Sequence, residues 1–496
     1  MQWEVAHDEA FARPVRRGQA QALPELAHAV HVEVPGLAPD RVYFYRFMSG
    51  DAVSPVGRTR TLPAPDAPTQ RLRLAHASCQ RWEHGFYSAW RHMRADAPDF
   101  VLFLGDYIYE YPNAVGAVRS PGGGWTVTLD DYRRRHALHK SDADLQAMHA
   151  ACPWFVTWDD HEVQNDYAGL TPGDGGPAVA DFAARRAAAY QAFYEHMPLR
   201  ASVLTRALVG LSSGAEMRIY GQVPFGRLAT LYLLDDRQYR DRQACTRNGR
   251  FGSGMVNPER CDSWNDPQRT LLGAAQEQWL DQALAQAAGG ATWNVLGQQT
   301  LFGQRDFRPG PGFTLWNDGW DGYGPARTCL TDALQRHRGV LGEEREGLLV
   351  VLAEVGPVAA IGDVERAHAD PAVAQRQGEQ AREPRVPRRE ALEARVGGEV
   401  VQADGPVAGG RGREQADLAA GGQVMAGEAG HGDSEDQGYG RVFDRARGRA
   451  WRFRPMSPCA RPGAARAAPW HPARRGRPAA APGSAAPARC WPAPGC

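Results

Sequence analysis

The aromatic side chains of this chain stop abruptly. It carries 16 Phe, 15 Tyr and 14 Trp in 496 residues, yet none lies between Leu341 and Gly438. Asn and Thr also vanish after Leu341. The remaining stretch is Ala, Gly, Arg, Glu, Val, Gln and Pro, ending in runs such as RPGAARAAPW and RPAAAPGSAAPARC. A core normally draws volume and edge contacts from aromatic rings. A Pro-, Gly- and Ala-rich stretch without apolar period does not pack. Three readings of residues 341–496 stand: a natural disordered tail, a short helical piece within 341–400 around REALEAR, or departure from the proper reading frame near residue 340. The last fits a GC-rich gene, since Arg replaces Lys everywhere except Lys140.

Other global features exclude classes of function. Lys+Arg and Asp+Glu are both 57, so the formal charge is zero. That excludes a generally basic nucleic-acid binder and an acidic solvating protein. No apolar run is long enough for a membrane-spanning helix. Met1–Ala10 is polar and acidic, unlike a signal peptide. The 8 Cys show neither zinc-knuckle spacing nor a disulfide framework, which leaves the redox compartment open.

Two folded regions are expected upstream of the break. Residues 1–65 read as a small all-β sandwich module that is incomplete at its start. Val30, Val32 and Val34 alternate as in a strand, as do Tyr43, Tyr45 and Phe47, and GRTRTLPAP reads as a third strand entering a Pro-rich linker. Residues 70–340 switch pattern. Buried strands are expected at 72–79, 99–106, 152–162, 227–240 and 292–302, with helices at 85–98, 128–150, 179–196 and 273–287. A helix N-cap is expected at Thr128 or Asp130. Strands alternating with helices give a layered α/β domain.

The chemistry lies where these strands end, because ligands of open α/β sheets bind beyond the carboxyl ends. The first strand ends at Cys79. The second ends at Gly105-Asp106, with Tyr109 just after. The third runs into Asp159, Asp160, His161 and Glu162, then Asn165 and Asp166. The fourth ends in Asp235, Asp236 and Arg237, and the fifth in Gly297, Gln298 and Gln299. Taken singly, a Gly-Asp turn, a Cys or a Tyr is ordinary turn or core chemistry. WDDHEVQND is different, because five ionisable groups in nine residues after an apolar strand are costly without a role. Carboxylate, phenolate, thiolate, amide and imidazole together suit one harder and one softer ion. Paired ions that share a carboxylate clamp phosphoryl oxygens and activate water. A neighbouring His is suited to protonate a leaving group, and an Arg offers phosphate a fork.

The segments SCQ (78–80), GDYIYEY (105–111), WDDHEVQNDYAG (158–169), LDDRQYR (234–240) and VLGQQT (295–300) resemble the PhoD-type alkaline phosphatase/phosphodiesterase family. Its catalytic domain belongs, in the broad sense, with the calcineurin-like metallophosphoesterases. Residues 28–65 look like the latter part of the β-sandwich domain that precedes it. The resemblance covers about residues 2 to 340. It implies an α/β fold with a layered metallophosphoesterase-like β-sandwich core flanked by helices. It also implies an iron and calcium cluster bridged by Asp106. Cys79 and Tyr109 are then iron ligands, while Asp160 and Asn165 serve the second metal or phosphate. His161 acts on the transition state or leaving group, and Arg237 meets phosphate or braces the site. The implied substrates are phosphoric monoesters and diesters. Family members are usually exported through a twin-arginine signal, implying a periplasmic or secreted protein. Arg16-Arg17 lacks an apolar run behind it and is not such a signal. Without a signal, the chain as given is cytoplasmic if complete. No nucleic-acid partner is expected, and nothing forces an oligomer.

Three departures qualify the resemblance. Asp236 stands where Thr is more usual, and the N-terminal module is abbreviated. After residue 340 the family continues with a strand and a GGDVH motif that adds an aspartate and a histidine ligand. Here the nearest match is Gly362-Asp363-Val364-Glu365, with His368 three residues late. The expected consequences are open edges where the strand is lost and a catalytically impaired remnant of the fold. A metal-dependent oxygenase built on His161 with His76 or His84 is a weaker alternative.

Overall fold

A computed structural model describes residues 1–120, 122–204, 216–246, 251–287, 290–308, 312–337, 347–352 and 359–365. The N-terminal module is β1 (Gln2–Ala6), β2 (Arg16–Gln19), β3 (Val42–Ser49), β4 (Ala52–Val53) and β5 (Gly57–Arg60). They form one antiparallel sheet in the order β2-β1-β3-β4, with β5 also on β3. Val5, Phe11 and Tyr43 fill its small core. The expected strand over Val30–Val34 does not form. Ala27 and His28 take left-handed backbone angles that turn the chain away. The segment instead lies along the next domain: the His31 ring stacks on Tyr194 at 4.2 Å, and its Nδ1 pairs with the Leu199 carbonyl at 2.8 Å. Side-chain docking replaces sheet pairing there, and the polar β1 and β2 supply the strands.

The second domain runs β6 (Arg71–Ala77), α1 (Ser88–Ala95), β7 (Phe100–Leu104), α2 (Leu129–Lys140), α3 (Ala143–His149), β8 (Trp154–Thr157), α4 (Phe182–His196), β9 (Gly221–Phe225), β10 (Ala229–Leu233), β11 (Met255–Val256), α5 (Ala274–Ala287), β12 (Trp293–Gln298), β13 (Leu315–Trp316), α6 (Gly324–His337), β14 (Gly347–Leu352) and β15 (Ala359–Glu365). The helix expected over 128–150 is two. Thr128 caps α2 in a reciprocal capping box with Asp131, and Asp142 breaks the run by capping α3.

Two four-stranded sheets, β15-β6-β7-β8 and β14-β12-β10-β9, face one another. The alternation of side chains explains the layering. Phe100, Leu102 and Leu104 point inward with Leu72 and Leu74 to meet Phe225, Leu231, Leu233 and Val295. Val101 and Phe103 point outward to helices α1–α4. On the other sheet, Tyr232 and Leu296 point outward to α5 and α6. The β-sandwich core is thus covered by helices on both faces. In the α2–α4 layer two imidazoles, His136 and His139, lie fully buried and a third, His149, lies partly buried. His136 stacks on His196 at 5.0 Å, and neither of its ring nitrogens has a protein partner among the described residues; His139 Nε2 has none either. His149 stacks on Trp154 at 3.8 Å and pairs with the Tyr107 hydroxyl. Burial first, then neighbouring cations, hold all three below the ordinary histidine value.

Two further expectations are corrected. The edges expected to lie open are paired: β14 runs parallel to β12 and β15 antiparallel to β6. Any short apolar stretch with β-branched residues can fill such an edge through main-chain hydrogen bonds. A disulfide also forms between Cys245 and Cys261, which tertiary packing brings together although their spacing signals nothing. The REALEAR segment and His368 lie outside the described residues. Among the described residues, no helix is long and apolar enough to cross a membrane.

Candidate metal centre

The strands β6, β7 and β8 are parallel, so their carboxyl ends open on one rim. The turns there are tightly held. Gly105 has φ +94°, and a Cβ at that position would run into the Asp159 main-chain nitrogen. Cys79 and Asp106 also take positive φ, 56° and 55°. Such angles in non-glycine residues persist where surroundings fix them, commonly at functional sites. The surroundings here are explicit. Cys79 N–H donates to the Gly105 carbonyl and Gln80 N–H to the Asp106 carbonyl, both at 3.1 Å. The buried Glu162 carboxylate accepts N–H groups from Asp106 (3.0 Å), Tyr107 (2.5 Å) and Asp159 (2.8 Å), tying the β7 and β8 turns together.

Into this frame the side chains converge. Asp106, Asp160 and His161 bring ligand atoms within 4.8 Å of one another, all buried. The Tyr109 hydroxyl donates to Asp106 Oδ2 at 3.1 Å, and its ring packs on His161 at 4.2 Å. The Cys79 thiol lies beside Asp106; burial and that carboxylate push it well above its usual value. Burial likewise raises Asp106 to about 7, with His161 opposing and Asp160 and Glu162 adding. Its Oδ1 is buried without a protein partner among the described residues. Thiol, phenol, imidazole and carboxylates around an orphaned carboxylate oxygen fit a metal ion. His161 is held from behind: its Nδ1 meets Glu110 Oε2 at 2.7 Å, while Glu110 Oε1 accepts the Asn165 main-chain N–H at 2.6 Å. Burial lowers the affinity of His161 for its proton, but Glu110, Asp106 and Asp160 outweigh it and hold the imidazole well above the ordinary value.

A second group, Asp160, Asp166 and Asp318, adjoins the first through Asp160. Ser253 ties down Asp166, whose own N–H donates to Asp160. Asp318 accepts from Arg240 and Gln243. Arg237 is 3% exposed and spans the carboxylates. Its Nε donates to Asp159 at 2.5 Å and its Nη1 to Asp318 at 2.8 Å, with Nη2 3.4 Å from Asp160. Burial raises Asp160, but Arg237 and His161 dominate and hold it at about 2. The guanidinium fork is therefore committed to bracing carboxylates.

The structure places Cys79, Asp106, Tyr109, Asp160, His161 and Arg237 together at this rim. Asn165 sits in the same turn and joins through its main chain. Glu110 and Asp318 were not singled out. Glu110 lies within GDYIYEY, where it reads as a surface residue of a turn. Asp318 is positioned by Arg237, Arg240 and Gln243, with no local signal at all. Gly362-Asp363, the nearest match to the Gly-Asp-x-His motif, lies away from the rim. β15 begins beside Ala77 at the site end of β6, and Asp363 pairs with Arg73, roughly 13 Å down the strand from that rim.

Known proteins show the same arrangement of segments. PhoD-like phosphatase matches residues 74–341, and the N-terminal domain of PhoD-like phosphatase matches residues 1–63. The first match ends at residue 341, inside the stretch without aromatic residues that follows Tyr323. Alkaline phosphatase D of Bacillus subtilis (strain 168) is 48% identical over 328 residues, covering 65% of this chain and 53% of that protein. The chain thus spans about half the length of that relative. The solved structure of PhoD is 45% identical with a TM-score of 0.63, covering 71% of this chain and 64% of the solved one. With both regions matched and the strand-end residues gathered at one rim, the chain belongs to the PhoD-like phosphatase family.

Proposed function

We propose that this chain is a metal-dependent phosphoric ester hydrolase acting on monoesters, diesters or both, with iron and calcium as its ions. The observation that carries the reading is the orphaned Asp106 oxygen among a thiol, a phenol, an imidazole and further carboxylates. Cys79, Asp106 and Tyr109 would hold the iron, and Asp160 with Asn165 the calcium. When bound, such ions supply Lewis acidity and an activated water. The protein's own residues do the rest. Glu110 fixes the His161 ring through Nδ1, leaving Nε2 to hold a proton for the departing alcohol. Arg237 holds Asp159, Asp160 and Asp318 in place and favours the charged forms of Asp160 and Asp318. Metal analysis of the purified chain, with hydrolysis of p-nitrophenyl phosphate and its bis-ester, tests this. A chain that binds neither ion and cleaves neither ester overturns it.

A second reading is that of an impaired remnant of the same fold. Its specific support is the register that puts Asp363 against Arg73, away from the rim, and Glu365 where the family's histidine is wanted. The composition break and the end of the family match support a change of reading frame near residue 340 as the cause. Sequencing the gene across that point separates the readings: an insertion or deletion restoring Gly-Asp-x-His gives the full enzyme, and an unchanged reading gives the remnant. Export to an oxidising compartment is also proposed, supported by the Cys245–Cys261 disulfide. Fractionation of the native host tests it.

A further inference from the structure

We infer that Arg81, rather than Arg237, is the cation that receives the substrate's phosphoryl oxygens, an inference resting on the phosphoric ester reading. A site for a dianionic or monoanionic phosphate needs a positive group able to turn toward it. Arg237 has three carboxylates around its guanidinium and no spare direction. Arg81 is the opposite case. It lies two residues beyond Cys79, in the turn that leaves β6 for the rim. Its guanidinium sits 3.8 Å from the centre of the Tyr109 ring and 4.5 Å from that of Tyr111. Among the described residues its one hydrogen bond is a long one, from Nη1 to the Tyr111 carbonyl at 3.4 Å, and no carboxylate pairs with it.

The placement is chemically apt. The same Tyr109 ring packs on His161 and carries the hydroxyl bonded to Asp106. Arg81 is thus one aromatic ring away from the metal cluster and from the imidazole. Stacking on two rings holds a guanidinium's plane while leaving its edge N–H groups unspent. Those edge donors match the paired oxygens of a phosphoryl group, with charge-assisted hydrogen bonds to both. Arg81 is half-buried, so an anion there meets less competing water than at the surface. A carboxylate partner would cancel this charge, and none is present among the described residues.

The test uses the full chain, metal-loaded, with inorganic phosphate as the probe. Calorimetric titration measures phosphate affinity for wild type, Arg81→Gln and Arg81→Ala, and thermal melts confirm that each variant folds. Arg81→Gln keeps a donor for the Tyr111 carbonyl and removes the charge. Both variants are expected to bind phosphate about 10- to 100-fold more weakly, the range for losing a hydrogen bond to a charged group. Millimolar guanidinium ion should restore part of the Arg81→Ala loss, which a packing role would not show. Metal content should be unchanged. Folded variants that bind phosphate as tightly as wild type overturn the assignment to Arg81 and leave the hydrolase reading standing. Wild type that loads metal yet binds no phosphate overturns that reading and this inference with it.

Discussion

Two buried strands of this protein end in the same pair of letters and do different work. β8 runs into Asp159-Asp160-His161, and β10 into Asp235-Asp236-Arg237. Asp235 is surrounded by donors: the Trp158 indole N–H at 3.0 Å, the main-chain N–H groups of Arg237 and Gln238, and the Gln238 amide. It accepts four hydrogen bonds and has nothing left to offer a ligand. Asp160 takes a main-chain N–H from Asp166 and a guanidinium contact, and shares a 4.8 Å neighbourhood with Asp106 and His161. Across the rim, the first sheet presents donors of electron pairs and the second sheet presents the group that restrains them. What separates a carboxylate committed to the fold from one open to a ligand is how many N–H groups the fold has already given it.

The comparison can be broken by experiment. Removing the brace should have the largest effect. Arg237→Met leaves Asp159, Asp160 and Asp318 buried without their counter-charge, and is expected to cost about 3–5 kcal/mol, read by urea denaturation. A loss under 1 kcal/mol would show that these carboxylates are held otherwise. Asp106→Asn should lower ester hydrolysis at least ~100-fold and lower bound metal with it, while the fold persists. Full metal content in that variant would remove Asp106 from the ligand set. Glu110→Gln should reduce turnover by about 10- to 100-fold with metal retained, because His161 loses its carboxylate partner; an unchanged pH–rate profile would contradict that role. Asp235→Asn should weaken the fold by only ~1–3 kcal/mol and leave turnover near wild type. Loss of metal in that variant would erase the distinction drawn between the two pairs.

The buried imidazoles of the helical layer give a pH test that lies outside the rim. Burial, opposed by the Arg135 carbonyl, lowers His139 from 6.5 to about 3. The unfolded chain therefore takes up a proton that the folded chain refuses between those values. Stability from this group is fully present above pH 6.5 and falls as pH drops through that window, by up to about 1.4 kcal/mol per pH unit. His139→Gln should flatten the fall between pH 6.5 and 5 relative to wild type. Parallel curves for the two proteins would show that His139 takes no part.

Much of this was legible in the sequence, and the exceptions have physical reasons. Parallel strands buried on both faces leave unbroken apolar runs, and their polar ends come immediately after; this made Asp106 and the Asp159–Glu162 cluster visible. β2 is mostly exposed, so its RRGQ carries no apolar signal. The alternating Val30, Val32 and Val34 misled because alternation records facing, not pairing. The break between α2 and α3 turns on one Asp142 cap, too local for a periodicity reading. Asp318 and Glu110 depend on partners 51 to 81 residues away, and the edge pairing of β14 and β15 uses the main chain, which any sequence possesses.

The disulfide gives the rim a history. Between Cys245 and Cys261 lies the arm that carries Ser253, whose hydroxyl meets Asp166 at 2.5 Å, and Gly254, whose N–H meets Asn317 at 2.6 Å. While the cysteines are reduced, the ends of that arm are not joined covalently, and the unfolded state keeps entropy that a closed loop of this size would remove, worth roughly 3 kcal/mol. Oxidation joins the two ends of that arm and so shortens the reach of Ser253 once its contacts loosen. The order of events then counts: a chain oxidised early carries the Ser253 arm with its ends joined, and one kept reduced carries it with its ends free of that link. Limited proteolysis with and without reductant, cleaving near Phe251, reads the difference directly.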